Sequence, residues 1–305
     1  AVCHPHWRGV RTAAHAFADP LVETEDAAAH AETIVEGALM TGMTTLVVHG
    51  FPPGSEELLR RARRSGLSTR VVVHSSMAQH GAEAGEAAVM DRIAELAGEK
   101  VVQRVGFVKA GLAEAFRALG IPAAHTPNRA PMMPAIDRRE PGPGAPHVGV
   151  FGANYWRKNV VTQLGAVALL GGTAHVITRP AVGYLARMAI REHSELNREA
   201  FLAVQAGMDL NLYVTLSECH PMGSIESYLC DVPALVSRTS DVFKSDTRLW
   251  ELTTVDQADD PTAIASGARR LLDNRPEAIE RARAWARGAD ARAEQAWWEF
   301  VGFEH

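Results

Sequence analysis

The chain has 305 residues, of which 47% are hydrophobic and 22% charged, with a formal net charge of −5. That is an ordinary globular composition with enough apolar material for two cored domains, and its acidic balance disfavours a protein that grips duplex nucleic acid through phosphate contacts. Three cysteines, Cys3, Cys219 and Cys230, show neither paired metal-ligand spacing nor a disulfide framework, and no apolar run reaches bilayer length; a cytoplasmic protein without a transmembrane segment is expected.

Short valine-rich runs bounded by Gly, Pro or polar residues read as strands. In chain order they are Thr44–His49, Thr69–His74, Val101–Val108, His147–Phe151, Ala174–Thr178, Leu210–Leu216 and Pro233–Ser237. Between them lie helix-length segments: Ala27–Met40, Ser55–Ser65, Glu83–Ala97, Leu112–Leu119, Val160–Leu170 and Glu192–Ala206, with a last helical stretch over Pro276–Phe303. In Ser55–Ser65, Leu58, Leu59 and Ala62 fall at helical spacing beside a basic face of Arg60, Arg61, Arg63 and Arg64, which reads as a solvated face. The aromatics Trp297, Trp298, Phe300 and Phe303 close the chain and read as core packing.

Strands alternating with helices predict an α/β protein with parallel sheets. The segment Arg138–His147, RREPGPGAPH, can continue neither a helix nor a central strand. It divides the chain into a short N-terminal domain over 1–137, a linker over 138–147, a C-terminal domain over 148–275 and helices over 276–305, which could pack back on the N-terminal domain. Ligands of parallel sheets bind beyond the carboxyl ends of strands, so the loops after each strand carry the candidate chemistry.

After AVCH, Gly9 sits where a helix starts, flanked by Arg8 and Arg11; a glycine there admits a ligand to the backbone, or simply makes a turn. His74 ends a strand and can hydrogen-bond a sugar hydroxyl or a phosphate, or serve structure alone, with His80 a weaker candidate. After HVGVF, the loop GANYWRKN places Asn154, Arg157, Lys158 and Asn159 before a helix. A lysine at a helix N-terminus opposes the helix dipole, a local conflict that a bound diphosphate would resolve; the alternative is a solvated surface lysine. After LNLYVTL comes SECHPMGSIESYLCDVPALVS, with Glu218 and Glu226 separated by seven residues. Ser224 is a natural N-cap there, and the amides of Gly223, Ser224 and Ile225 would face an anion at the helix start. Glu218 and Glu226 could accept hydrogen bonds from sugar and ribose hydroxyls; the plainer alternative is a capped helix with two surface acids.

This last stretch resembles the signature of retaining GT-B glycosyltransferases of the GT4-like group, an acid, seven residues, a second acid and a helix, although Asp231 stands where the family has glycine before the proline region. FGANYWRKN is similar to the family's glycine-loop-lysine segment, GLAEAFRALGIPAAHTPN to the end of its first domain, and the residues around Gly9 to its N-terminal loop. The resemblance implies two Rossmann-like domains facing a central cleft. It implies that Lys158 binds the donor diphosphate, Glu226 the ribose and Glu218 the transferred sugar, with Gly223–Ile225 and Gly9 approaching the phosphates and His74 touching sugar or leaving group. The family's arginine after the loop glycine is replaced by Ala153, for which Arg157 or Arg179 would substitute.

The implied reaction is glycosyl transfer with retention from a nucleotide-diphosphate sugar, with a UDP- or GDP-sugar as the expected donor, to an acceptor the sequence leaves open: small molecule, protein, lipid carrier or modified nucleobase. No Asp-x-Asp metal motif is seen, so neither a metal nor a cofactor is expected. The rival readings are a nucleotide-sugar epimerase on the same fold and a non-catalytic nucleotide-sugar-binding module.

Overall fold

A computed structural model describes residues 1–302 other than 19, 132, 135, 137–143 and 195. Most of the expected linker, 138–143, and Phe303 of the aromatic cluster lie outside the described residues. The chain divides into two compact units, residues 1–131 with 289–305, and residues 132–288.

The first unit is a six-stranded parallel sheet. Its strands are β1 (Val2–Cys3), β2 (Val22–Glu23), β3 (Thr45–His49), β4 (Ser68–Val73), β5 (Arg104–Phe107) and β6 (Ala123–His125), in the order β2-β1-β3-β4-β5-β6. Its helices are α1 (Arg8–His15), α2 (Ala31–Met40), α3 (Ser55–Arg64), α4 (Met77–Ala82), α5 (Ala84–Gly98) and α6 (Ala110–Ala118). Val48, Val71, Val73, Val105 and Phe107 of the strands pack with Leu58, Leu59, Ile93 and Leu96 of the helices in one buried cluster. The solvated reading of the α3 arginines holds with a refinement: Arg60 pairs with Glu56 and Glu99, Arg61 with Glu32 and Arg64 with Glu57. Their charge is neutralised locally and offers little to a polyanion.

The second unit is a second six-stranded parallel sheet. Its strands are β7 (His147–Val150), β8 (Thr173–Val176), β9 (Ile190–Glu192), β10 (Leu210–Tyr213), β11 (Ala234–Ser237) and β12 (Thr254–Val255). Its helices are α7 (Val160–Leu170), α8 (Arg198–Ala206), α9 (Met222–Leu229), α10 (Thr247–Thr253) and α11 (Pro261–Asp273). The strand order β12-β11-β10-β7-β8-β9 is the doubly wound arrangement, and its direction reverses between β7 and β10. A ligand crevice opens at such a reversal, between the loops that leave the two central strands.

The last helix, α12 (Arg275–Val301), is one continuous element of 27 residues. Residues up to 288 belong with the second unit and those from 289 with the first, so the chain does not change unit at 275. In the second unit Trp285 meets Phe243 edge-on at 4.9 Å. In the first, Trp297 stacks on Phe17 at 4.7 Å and on His49 at 5.5 Å, Phe300 is fully buried, and Arg104 donates to the Glu299 carbonyl at 2.8 Å. Trp297 and Phe300 are core packing, as expected. Among the described residues no helix is long and apolar enough to cross a membrane.

Candidate functional site

The β7–α7 loop is built to hold two cations in place. Gly152 follows β7 closely, and a Cβ there would lie 3.0 Å from the Lys158 Cβ. A single 3-10 turn over Trp156–Lys158 then runs into Asn159, which adopts φ +55° before α7 begins at Val160. Asparagine tolerates that left-handed conformation because its short amide can bond nearby backbone. Here Asn159 Nδ2 donates to the Val214 carbonyl at 3.1 Å and to the Ala258 carbonyl. Gln163 donates to the Lys158 carbonyl at 2.7 Å and accepts from the Val214 amide at 3.0 Å, and the Leu216 amide donates to the Arg157 carbonyl at 2.8 Å. The loop after β7 is thus laced to the end of β10, across the reversal point of the sheet.

The two loops meet in charge as well. Lys158 Nζ donates to Glu218 Oε2 at 2.5 Å, and Arg157 Nη1 reaches the same oxygen at 3.4 Å. The Glu218 side chain is 11% exposed, and Lys158 and Arg157 are 22% and 15% exposed. Burial pushes the Glu218 carboxyl up, but the two cations and the Cys219 amide outweigh it and its pKa ends below the usual value. Arg157 is steadied from behind by Tyr155, whose hydroxyl accepts from Nη2 at 2.8 Å and whose ring lies 5.0 Å from the guanidinium. A carboxylate that holds two partly exposed cations can be exchanged for an incoming anion of higher charge.

The helix α9 starts differently from expectation. Its N-cap is Pro221, not Ser224. Ser224 lies inside the first turn and donates both its hydroxyl (2.8 Å) and its amide (3.2 Å) to the Pro221 carbonyl. The proline has already set an extended backbone one step before Met222, so the helix begins ahead of the Ser224 position. Ile225 and Ser224 are buried, and Gly223 lies against Tyr213, where a Cβ would come within 2.7 Å of the ring. Gln205 ties both together, donating to the Tyr213 hydroxyl at 2.7 Å and to the Gly223 carbonyl at 2.8 Å.

Glu226 is 5% exposed and forms an ion pair with Arg198 at 2.8 Å. Burial raises the pKa of this carboxyl, and Arg198 only partly offsets the rise. The two glutamates are therefore not equivalent: Glu218 is held acidic by two cations, and Glu226 is held less firmly by one.

The remaining candidates fall elsewhere. Asn154 is exposed in the β7–α7 loop. Arg179 donates to the Ile190 carbonyl of β9 at 2.9 Å, so Arg157, not Arg179, brings a guanidinium to the Glu218 carboxylate. Gly9 and His74 belong to the first unit. Gly9 is the second residue of α1, exposed, with open space where a side chain would stand. His74 follows β4 and lies 3.4 Å from His49 across the ring nitrogens, with its pKa lowered to about 4 by burial. At the reversal point of this sheet, between β1 and β3, Gly50 takes φ +71° under the Trp7 ring, where a Cβ would fall 2.5 Å away.

Arg198, Tyr155 and Gln163 are residues of the site that the sequence reading does not single out. Arg198 carries the same signal that marks Lys158, a cation at a helix start against the dipole, here just after the capping residue Asn197. Among the described residues no group of three or more His, Cys, Asp or Glu is placed to hold a metal ion.

No protein-family model and no curated protein matches the chain. Solved structures do. A trehalose-6-phosphate synthase from E. coli bound with UDP-2-fluoro glucose superposes with a TM-score of 0.59 at 11% identity, over 97% of this chain and 82% of that one. An α,α-trehalose-phosphate synthase (UDP-forming) from Burkholderia xenovorans, in complex with glucose-6-phosphate, gives 0.60 at 13% identity over 88% and 76%. The sucrose-phosphate synthase of Thermosynechococcus elongatus gives 0.57 at 15% identity over 92% and 76%. The fold is GT-B, with two Rossmann-like domains.

Proposed function

We propose that the protein is a retaining glycosyltransferase of the GT4-like kind that takes its sugar from a nucleotide-diphosphate donor. The convergence of Lys158 and Arg157 on the buried Glu218, at the strand-order reversal of the second sheet, carries this reading. The donor diphosphate replaces the Glu218 carboxylate as the partner of the two cations, and Glu218, released, accepts from hydroxyls of the transferred sugar. As the glycosidic bond lengthens, negative charge grows on the departing diphosphate. Lys158 and Arg157 are already in place to meet it, so little reorganisation is needed at the transition state. Arg157 takes the place left by Ala153. The leaving phosphate takes the acceptor's proton on the face it has just left, which gives retention. Glu226 holds the ribose, the Gly223 amide adds a donor toward the phosphates in place of the Ser224 amide, which the Pro221 carbonyl takes, and Gly9 and His74 serve phosphate and sugar.

The UDP-2-fluoro glucose and the glucose-6-phosphate bound in two of the structural neighbours point to a UDP-sugar donor and a phosphorylated sugar acceptor as the first pair to try. The test is release of nucleoside diphosphate from UDP- and GDP-sugars, with and without hexose phosphates, followed by NMR of the product anomer. A product with the donor's anomeric configuration is expected, and an inverted product overturns the retaining assignment. A donor bound but never turned over favours the non-catalytic module. An epimerised nucleotide sugar recovered intact favours the epimerase.

A further inference from the structure

Arg198 occupies a position that its own helix does not favour. It is the first residue of α8, at the positive end of the helix dipole, and Asn197 already caps that helix by accepting from the Ala200 amide at 2.9 Å. What Arg198 meets is the Glu226 carboxylate of α9, at 2.8 Å. The Glu226 side chain is 6% exposed, so without a cation it would take up a proton rather than remain buried as an anion. The titratable or charged groups coupled to it are Arg198 from α8 and Tyr213 from β10. Strand β11, Ala234–Ser237, contributes none. Tyr213 is itself held by Gln205, which also donates to the Gly223 carbonyl in the first turn of the helix that carries Glu226.

We infer that Arg198 is a positioning residue that keeps Glu226 ionised and aimed at the ribose 2′- and 3′-hydroxyls, and so makes the site selective for ribonucleoside over 2′-deoxyribonucleoside diphosphates. This rests on the donor reading above. An ionised carboxylate accepts from both hydroxyls of a cis-diol; a protonated one loses acceptor capacity and part of the distinction with it.

The experiment is calorimetric titration of wild type, Arg198→Ala and Arg198→Lys with UDP, GDP and their 2′-deoxy counterparts, from about pH 6 to 8.5, the range in which a buried carboxyl without its cation would titrate. The phosphates of each pair titrate alike, so the ratio of affinities isolates the diol. Wild type is expected to prefer the ribonucleotide by roughly tenfold, the worth of one hydrogen bond to a charged acceptor. In Arg198→Ala the preference falls toward unity at the acid end and recovers as pH rises, and Arg198→Lys keeps most of it. An Arg198→Ala ratio equal to wild type at every pH overturns the inference, as does a wild type that binds both sugars equally. If Arg198→Ala does not fold, the lysine variant carries the test: a ratio that collapses independently of pH contradicts an electrostatic role. Wild type that binds no nucleoside diphosphate removes the donor reading itself.

Discussion

Glu218 holds two cations, and that pairing shapes what each substitution does. Lys158→Ala leaves the carboxylate with Arg157 and the Cys219 amide, so the fold survives while the stronger of the two diphosphate contacts is lost. Turnover of the donor is expected to fall at least about 100-fold, the scale for removing one preorganised charge contact from a transition state. Glu226→Ala is expected to weaken nucleoside diphosphate binding more than Glu218→Ala, because Glu218→Ala also frees Lys158 and Arg157 for the diphosphate. The reverse order in a titration would mean that the two acids have exchanged roles. Lys158 and the glutamates are legible in the sequence through their spacing and through the lysine's conflict with the helix dipole. Arg198 shares that conflict, but the helix expected over Glu192–Ala206 puts it mid-helix, whereas α8 starts at Arg198. Ser224 misleads, because the extended backbone of Pro221 starts the helix before the serine is reached.

At the scale of elements, close approach decides the local outcome. Gly223→Ala puts a methyl 2.7 Å from the Tyr213 ring, so α9 must shift on β10. Overpacking of this kind costs about 1–3 kcal/mol, and urea unfolding of the variant would measure it; an unchanged midpoint would show that the ring moves aside freely. The strongly apolar elements are legible: the expected helix Val160–Leu170 is α7, with the same bounds. The short edge strands are not. Ile190–Glu192 has one apolar residue followed by two exposed charged ones and offers no alternation to read, so the segment from Glu192 reads as part of the helix that in fact begins at Arg198. The central strand Arg104–Phe107 is shorter than the run Val101–Val108 because Val101 and Val102 are spent on the turn after α5, where both amides bond the Leu96 carbonyl.

Over the whole molecule, buried histidines set the response to acid. His175 of β8 joins His147 at 2.8 Å and His193 at 2.9 Å through its two ring nitrogens, and burial first, then the two neighbouring rings and Arg191, lowers its pKa to about 4. His74 in the first unit is lowered to about 4 by burial. A histidine with a folded pKa below its unfolded value of 6.5 contributes full stability above pH 6.5 and loses it as pH falls toward 4. The loss is on the order of 3 kcal/mol for His74 and somewhat less for His175, for which burial is only part of the cause. Below that window Glu56 and Glu277, both lowered to about 2 by arginine partners, lose theirs as pH falls from 4.5 toward 2. The Glu277 carboxyl owes its low value chiefly to the side-chain hydrogen bond from Arg248, with Arg281 adding to it. Thermal melts across pH should therefore show stability falling from pH 6.5 downward, and His175→Asn should flatten that slope between pH 6.5 and 4. A variant with the wild-type slope would remove His175 from the account.

The measurement that bears most directly on the central claim is a thermal-shift titration of wild type and Lys158→Ala with UDP, GDP, ADP and TDP. A ligand that binds only the folded protein raises its melting temperature. The account predicts that one ribonucleoside diphosphate stabilises wild type and leaves Lys158→Ala unshifted. No shift with any diphosphate at millimolar concentration, or an equal shift in both proteins, would contradict a donor site built on Lys158 and Glu218.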